Sequence, residues 1–328
     1  MKILITGSTG FIGSQLCRAL TAEGHQVRAF HRPSSPLDLL EDLEVEHALG
    51  DLTQPESVES AMQDVEAVFH VAAWMGAGQA GRQYAVTVEG TRTVVQAARK
   101  ANVKRLVHTS SVAALGVPAN NKPSLLNENH TWNYRPEHYP YGYAKYLAEL
   151  EVQKEVAQGL DAVIVNPSVV FGAGDRYRQA TSILSSLASR KLTVAAEGGI
   201  NLVHIADVVD GHLAALRSGR RGERYILSGE NLSFLAMLQL AAEVVGVPAP
   251  TSVLPAGLLR AAAGPVYWLR NYLDVPIDPT LLRLAGRFFF YDRSKAAQEL
   301  GLGDPRPALQ ALEEAWAWIQ RASPDKKD

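Results

Sequence analysis

The apolar positions near the start of the chain change from a short continuous run to a helical spacing. Lys2 to Thr6 is too short and too β-branched for a helix, so it predicts a buried strand that ends at a turn on Gly7. From Phe11 onward apolar residues recur every three or four positions, and Gly24 supplies a helix stop. The pattern therefore predicts a strand, a glycine turn and a helix.

The same alternation continues through the first half of the chain. Further strands are predicted at residues 25–30, 45–49, 67–71, 104–109 and 162–166, with longer helical patterns at 82–101 and 141–158. Strands that alternate with helices pair in parallel through right-handed crossovers. We therefore predict an α/β fold with a doubly wound parallel sheet, a Rossmann fold, whose ligands bind at the carboxyl ends of the strands.

The alternation weakens in the second half of the chain. Residues 116–140 lack periodicity and are rich in Asn and Pro, as in a long functional loop. Weaker patterns predict helices at 180–190, 207–217 and 307–321 and a strand at 202–205. We expect a dinucleotide-binding domain over residues 1–170, with returns from about 200–225. Residues 171–328 are expected to form mainly a smaller, mostly helical substrate-binding domain.

Composition narrows the class of protein. Of 328 residues, 47% are hydrophobic and 20% are charged, and the net charge of -2 provides no basic surface for nucleic acid. The chain has no run of roughly 18 apolar residues and no cationic leader, so we expect no transmembrane segment and a cytoplasmic location. Cys17 has no partner for an internal disulfide, and scattered histidines predict no metal site. A homodimer through helices 82–101 and 141–158 remains open.

The glycine turn carries the first candidate chemistry. Its spacing, G-x-x-G-x-x-G, is a variant of the dinucleotide fingerprint. Such a turn directs backbone N–H groups and the positive end of a helix dipole at a pyrophosphate. The three glycines are also compatible with an ordinary tight turn, but the strand before them and the helix after them favour a cofactor loop. Its predicted cofactor-binding residues are Gly7, Thr9, Gly10, Phe11, Ile12 and Gly13.

The ends of the second and third strands bear on the choice of cofactor. Where an NAD-binding chain carries an acidic residue, this one has Arg32 followed by Pro33, Ser34 and Ser35. A guanidinium suits a 2′-phosphate, so NADP(H) is predicted as the preferred cofactor, with NAD(H) possible. The alternative is an exposed basic turn. Asp51 and Leu52 are predicted to receive the adenine, or else to be turn residues.

A Tyr-x-x-x-Lys pair supplies candidate acid–base chemistry. Tyr141 and Lys145 are one helical turn apart and share a face, and Thr109-Ser110-Ser111 ends the preceding strand. A phenol with a pKa of about 10 is a poor proton shuttle at neutral pH, and a neighbouring ammonium is expected to lower that pKa. The motif is short enough to occur by chance. Its place after a strand, in a chain with a phosphate loop, makes it a catalytic candidate.

Several motifs together are specific. They are Gly7-Ser-Thr-Gly10-Phe-Ile-Gly13, Gly50-Asp51-Leu52, His70-Val-Ala-Ala73, Val88-Glu-Gly-Thr91, Thr109-Ser-Ser111, Tyr141 with Lys145, Asn166-Pro-Ser-Val-Val-Phe-Gly172 and Val203-His-Ile-Ala-Asp207. This set resembles the extended short-chain dehydrogenase/reductase family, part of the NAD(P)-dependent epimerase/dehydratase superfamily. The chain looks most like its dihydroflavonol-reductase-like and 3β-hydroxysteroid-dehydrogenase-like members.

The resemblance implies roles for individual residues. Ser111 would orient the substrate oxygen, Tyr141 would donate or accept the proton, and Lys145 would hold the nicotinamide ribose and tune Tyr141. Ala72 and Ala73 would line the cofactor. The nicotinamide end would meet Pro167, Ser168 and Val170.

Departures from the family pattern refine the expected reaction. Thr87 stands where many relatives carry asparagine, which puts a helix-borne asparagine relay in doubt. A Thr-Asp-Glu type run, which serves dehydration, is absent at the serine site. The expected function is NADP(H)-dependent interconversion of a ketone or aldehyde and an alcohol by hydride transfer. A sugar-nucleotide epimerase is the first alternative, and a non-catalytic dinucleotide-binding regulator, disfavoured by the intact Ser-Tyr-Lys set, is the second.

The substrate walls are expected from the loops after the fourth, fifth and sixth strands. These are residues 74–78, Leu115 to Val117 and Phe171 to Tyr177, which are mainly apolar. Arg176 and Arg178 are the nearby cations that could contact a diphosphate. The pattern therefore favours an aromatic, alicyclic or medium-chain carbonyl compound as substrate.

Overall fold

A computed structural model of the protein describes residues 1–74, 80–177, 180–269 and 279–322. In chain order its strands are β1 (Lys2–Thr6), β2 (Gln26–His31), β3 (Glu46–Leu49), β4 (Ala67–His70), β5 (Arg105–Thr109), β6 (Leu125–Leu126), β7 (Ala162–Pro167), β8 (Val169–Phe171), β9 (Ala195–Ala196), β10 (Gly199–His204), β11 (Arg224–Leu227), β12 (Glu230–Ser233), β13 (Val253–Leu254) and β14 (Phe290–Tyr291).

The helices follow the same numbering. They are α1 (Phe11–Ala22), α2 (Pro55–Ala61), α3 (Ala80–Tyr84), α4 (Gly90–Lys100), α5 (Pro140–Ala157), α6 (Ser182–Ala188), α7 (Ile205–Ser218), α8 (Phe234–Val245), α9 (Ala256–Leu269), α10 (Pro279–Arg283), α11 (Ser294–Leu300) and α12 (Ala308–Ala322). No helix within the described ranges has the length and apolar character needed to cross a membrane.

A parallel sheet forms the centre of the fold. Its seven strands within the described residues run in the order β11-β7-β5-β4-β1-β2-β3. Helices cover both faces, so the inner strands are mostly apolar; Ile3, Leu4 and Ile5 are all fully buried. One face packs against α1 and α7, and the other packs against α2, α4 and α5. The predicted doubly wound fold is confirmed.

Three segments differ from the sequence prediction. The helix predicted at 82–101 begins at Ala80 and contains a π-helical turn, Ala85–Glu89, between α3 and α4. The seventh strand, β11, lies in a region predicted to be mostly helical; it pairs with β7 at the edge of the sheet. The segment 116–140 also contains a short strand, β6, which pairs with β14 near the other end of the chain.

A separate apolar cluster lies in the second half of the chain. It joins β8, α6, α8 and α12 beside the small sheet β12-β10-β8. In α12 the buried residues recur at three and four positions, as expected of an amphipathic helix: Ala308, Ala311, Leu312, Ala315 and Ile319. The domain boundary near residue 170 stays a prediction, and α7 and β11 belong with the central sheet.

Candidate active site

The glycine loop forms a tight cradle at the end of β1. Gly7 has φ +70°, and a Cβ there would lie 2.8 Å from the Cα of Ala72. A Cβ on Gly13 would lie 2.1 Å from the Gly7 carbonyl oxygen, so α1 can approach the loop only without a side chain. Gly10, the N-cap of α1, provides no side-chain cap, so N–H groups of the first turn are available to an anion. The cradle fits a dinucleotide pyrophosphate.

The neighbouring residues of the loop support this cradle. Thr9 is buried, and Phe11 and Ile12 are half-buried and pack against the core beneath α1. Ala73 is half-buried beside Ala72. All of the glycine-loop residues predicted to bind cofactor therefore lie together at the carboxyl end of β1.

The loop after β2 contains Arg32, the residue predicted to bind the 2′-phosphate. Arg32 is exposed directly after β2. The pKa of Asp51 lies below its usual value. Partial burial on its own would raise this pKa, but hydrogen bonds from Thr53 and the charges of Arg32 and Arg82 together outweigh it. Arg32 and Asp51 therefore lie near each other at this edge of the sheet. Leu52 is buried in the core, with its Cβ 3.0 Å from where a Cβ on Gly90 would lie, and its contact with the adenine stays a prediction.

The structure brings Ser111, Tyr141 and Lys145 together at the end of β5. The Ser111 Oγ accepts a hydrogen bond from the Ala113 N–H (3.2 Å), which caps a short 3₁₀ turn. Tyr141 follows Pro140 in the first turn of α5, and Lys145 lies one turn further along. The Lys145 Nζ donates to the carbonyl oxygen of Thr109 at 2.9 Å.

The pKa values in this group are governed by burial. Burial raises the pKa of Tyr141, and hydrogen bonding with Ser111 partly opposes the rise. Burial also lowers the pKa of Lys145 to about 8, against the influence of Glu149. The expectation that Lys145 lowers the phenol's pKa is therefore wrong for this structure, since the net shift is upward and Ser111 is the group that opposes it.

A buried polar network behind the three residues was missed by the sequence analysis. Ser110 Oγ donates to Glu149 Oε1 at 2.5 Å, and Asn166 Nδ2 donates both to that oxygen (2.6 Å) and to the Ser111 carbonyl (2.9 Å). Arg224 pairs with the other carboxylate oxygen at 3.1 Å. Ser110 is thus committed to the scaffold, which supports Ser111 as the serine that faces Tyr141. The 141-145-149 spacing on α5 was the available signal for Glu149.

The residues expected at the nicotinamide end lie at the junction of β7 and β8. Pro167 ends β7, and Val170 is half-buried within β8. Ser168 is buried, and its hydroxyl donates to Asn201 Oδ1 at 2.6 Å. The Ser168 hydroxyl therefore fixes this junction to β10.

Several expected substrate walls are instead core. Leu115 and Val117 are buried, and Phe171 packs in the apolar cluster of β8 and α12. A wall role for these three side chains is wrong because all of them are at most 3% exposed. Trp74 is half-buried under the Arg82 guanidinium, 4.6 Å from its ring centre, and Tyr177 is 56% exposed.

Two cations, Arg176 and Arg178, were predicted near the substrate, and the structure describes one of them. Arg176 forms an ion pair with Asp38 in the loop after β2, so its charge is already matched. Arg178 lies outside the described residues, as do Met75, Gly76, Ala77 and Gly78.

Comparisons with known proteins show the family of the chain. Residues 3–228 match the model of the NAD dependent epimerase/dehydratase family, and the chain belongs to that family. It is 36% identical to a putative dihydroflavonol 4-reductase of Synechocystis sp., over 96% of this chain and 94% of the relative. It is 34% identical to sterol demethylase protein B of Methylococcus capsulatus, over 98% of both chains.

A solved structure shows the same fold. The crystal structure of gox2253 has a TM-score of 0.86 and 33% identity, and the match covers 98% of both chains. The protein is therefore an extended short-chain dehydrogenase/reductase and an NAD(P)-dependent enzyme.

Proposed function

We propose that the protein is an NADPH-dependent reductase that converts a ketone or aldehyde to an alcohol, and catalyses the reverse oxidation. The observation that carries the proposal is the convergence of Ser111, Tyr141 and Lys145 at the carboxyl end of β5, in the same parallel sheet as the glycine cradle at the end of β1. Bound NADPH would supply the hydride for the carbonyl carbon. The Ser111 hydroxyl would hold the carbonyl oxygen, and Tyr141 would protonate it.

The protonation states support the direction from carbonyl to alcohol. The raised pKa of Tyr141 keeps the phenol protonated at neutral pH, which is the form that can donate to a developing alkoxide. Lys145 would hold the nicotinamide ribose. Its bond to the Thr109 carbonyl fixes the ammonium at the end of β5.

The preference for NADPH rests on Arg32. Its exposed guanidinium follows β2, where a dinucleotide-binding chain meets the adenosine ribose. The Asp51 carboxylate, which senses the charge of Arg32, accepts hydrogen bonds from Thr53, and Asp38 in the same loop pairs with Arg176. Arg32 is thus the charge proposed to bind the 2′-phosphate.

An apolar carbonyl compound is the proposed substrate class. An epimerase would need cations for a sugar-nucleotide diphosphate, whereas Arg176 is paired with Asp38 and the described loop next presents the Tyr177 ring. The names of the two relatives refer to a dihydroflavonol and to a sterol, both polycyclic compounds. We therefore place aromatic and alicyclic ketones first.

The test is a panel of aromatic, alicyclic and medium-chain carbonyl compounds beside UDP- and GDP-sugars. Carbonyl reduction is followed by NADPH absorbance, and epimerisation by analysis of product isomers. The proposal expects stoichiometric NADPH oxidation with at least one carbonyl compound. Epimer formation without net cofactor consumption, and no carbonyl reduction, would establish the epimerase alternative. Cofactor binding with neither activity would favour the non-catalytic regulator.

A further inference from the structure

A series of buried hydrogen bonds joins His70 and Thr91, residues of two sequence motifs whose polar side chains have no role in the proposed reaction. The Thr6 Oγ1 lies 2.7 Å from His70 Nδ1, and His70 Nε2 lies 2.9 Å from Thr91 Oγ1. The Thr91 hydroxyl donates to the carbonyl oxygen of Thr87 at 2.6 Å. All four side chains are at most 2% exposed. The series therefore runs from β1 through β4 to the π-helical turn before α4.

The direction of every bond in this series is fixed. A carbonyl oxygen only accepts, so the single Thr91 hydroxyl hydrogen is used on Thr87, and Thr91 Oγ1 must accept from His70 Nε2–H. In a neutral imidazole Nδ1 is then an acceptor, and the Thr6 hydroxyl donates to it. Burial, with a smaller effect from Lys145, lowers the pKa of His70 to about 3, which agrees with the neutral ring.

The residues at the two ends of this hydrogen-bond series, Thr6 and Thr87, hold the segment that follows β4. Thr6 Oγ1 accepts from the Ala72 N–H at 3.4 Å, and Thr87 Oγ1 accepts from the Trp74 N–H at 3.1 Å. Ala72 in turn contacts Gly7 so closely that a Cβ on Gly7 would lie 2.8 Å from its backbone. The position of residues 71–74 thus fixes one wall of the glycine cradle.

We propose that His70 is a positioning residue for the dinucleotide, held as the Nε2–H imidazole between Thr6 and Thr91 so that the segment 71–74 keeps its place against the glycine loop. Thr87 then has a structural task of its own at the position where many relatives carry asparagine and where the sequence analysis put an asparagine relay in doubt. The inference rests on the proposed cofactor site and is independent of the carbonyl substrate.

The test uses a near-isosteric pair of variants. Thr91→Val removes both hydrogen bonds of the hydroxyl, and Thr91→Ser restores the hydroxyl. We expect Thr91→Val to raise the Kd for NADPH and for NADH alike by about ten-fold, the usual effect of losing one to two buried hydrogen bonds. Thr91→Ser should stay within about three-fold of wild type. Both Kd values are measured by fluorescence titration without a carbonyl substrate.

A matched control is available on the next strand. His108 is the register partner of His70, its ring centre is 5.2 Å away, and it is equally buried. Neither of its ring nitrogens has a hydrogen-bond partner among the described residues. His108→Phe should therefore leave cofactor binding unchanged. A Kd rise in His108→Phe equal to that in Thr91→Val, or no rise in Thr91→Val, would overturn the inference.

The wild-type protein provides a test that needs no variant to fold. Nitrogen-15 NMR of the His70 ring should show the neutral Nε2–H tautomer throughout the neutral pH range. An Nδ1–H tautomer or a protonated ring would contradict the bond directions.

Thr6→Val and Thr6→Ser repeat the binding comparison at the other end of the hydrogen-bond series. Failure of the wild type to bind either dinucleotide would refute the proposed cofactor site itself, a result distinct from an unchanged Kd in Thr91→Val.

Discussion

Burial shifts the pKa values of Tyr141 and Lys145 in opposite directions. Burial disfavours the charged form of each, so the pKa of the phenol rises and that of the ammonium falls to about 8. Ser111 opposes the first shift, and Glu149 opposes the second. Near neutral pH the group therefore holds a protonated phenol beside a cationic lysine, which is a state prepared to deliver a proton.

The role of the phenol is tested by Tyr141→Phe. The ring still packs in α5 while the transferable proton is lost, so we expect cofactor Kd to be retained and kcat to fall by about 10²–10⁴-fold. Lys145→Met should impair both binding and turnover because the lysine has two proposed roles. Steady-state kinetics and fluorescence titration provide the two readouts. Normal turnover of a genuine substrate by Tyr141→Phe would exclude the mechanism.

Burial of Lys145 also predicts a pH dependence of stability. The amine has a pKa of about 8 in the folded protein against an ordinary 10.5, so the unfolded chain binds more protons between these values and stability rises with pH there. Relative to Lys145→Met, the wild-type free energy of unfolding should gain about 3 kcal/mol across this window, as an upper bound. Urea denaturation at several pH values measures it.

Lys154→Met is the matched control for this measurement, since Lys154 is an exposed lysine of the same helix. The difference in free energy of unfolding between Lys154→Met and the wild type should stay constant over this pH window. A wild-type advantage over Lys145→Met that shrinks as pH rises would contradict the assigned direction of the shift.

At the scale of elements, the sequence predicted what is encoded locally. The bounds of β1, β5 and α5 fall within one residue of the prediction because an apolar run or a helical spacing stops where the element stops. β11 was missed because Arg224–Leu227 is a four-residue edge strand defined by its pairing with β7. The bonds of Glu149 to Ser110 and Asn166 join residues far apart in sequence, which no local pattern reveals.

The loop after β2 is predicted to select between NADPH and NADH through Arg32. Arg32→Asp replaces a cation that can pair with a 2′-phosphate by an anion that repels it and can accept from a ribose 2′-hydroxyl. NADPH binding should weaken far more than NADH binding, by about ten-fold or more in the ratio of Kd values. Titration of both cofactors measures the ratio. A wild-type preference for NADH would show that Arg32 does not select the phosphate.

At the scale of the whole molecule, residues 171–176 connect the apolar cluster of the second half of the chain with the elements that follow β1 and β2. Phe171 is anchored in the apolar cluster of α8 and α12. Two residues further on, the Ala173 carbonyl accepts from Gln15 Nε2 of α1 at 3.3 Å, and Arg176 pairs with Asp38 in the loop after β2. The segment that leaves β8 thus passes from the second core to α1, the helix that follows the glycine loop, and then to the loop of Arg32.

This connection predicts that Arg176 affects NADPH binding through Asp38. In Arg176→Gln the Asp38 carboxylate loses its ion pair within the loop that carries Arg32, and its charge would then repel the 2′-phosphate proposed to bind Arg32. Both side chains are partly exposed, so we expect about a three- to five-fold rise in the Kd for NADPH and little change for NADH. Asp38→Asn removes the unmatched charge, so the double variant should regain the affinity of Asp38→Asn alone. Titrations of the four proteins complete the cycle, and additive effects of the two substitutions would show that the ion pair has no part in cofactor selection.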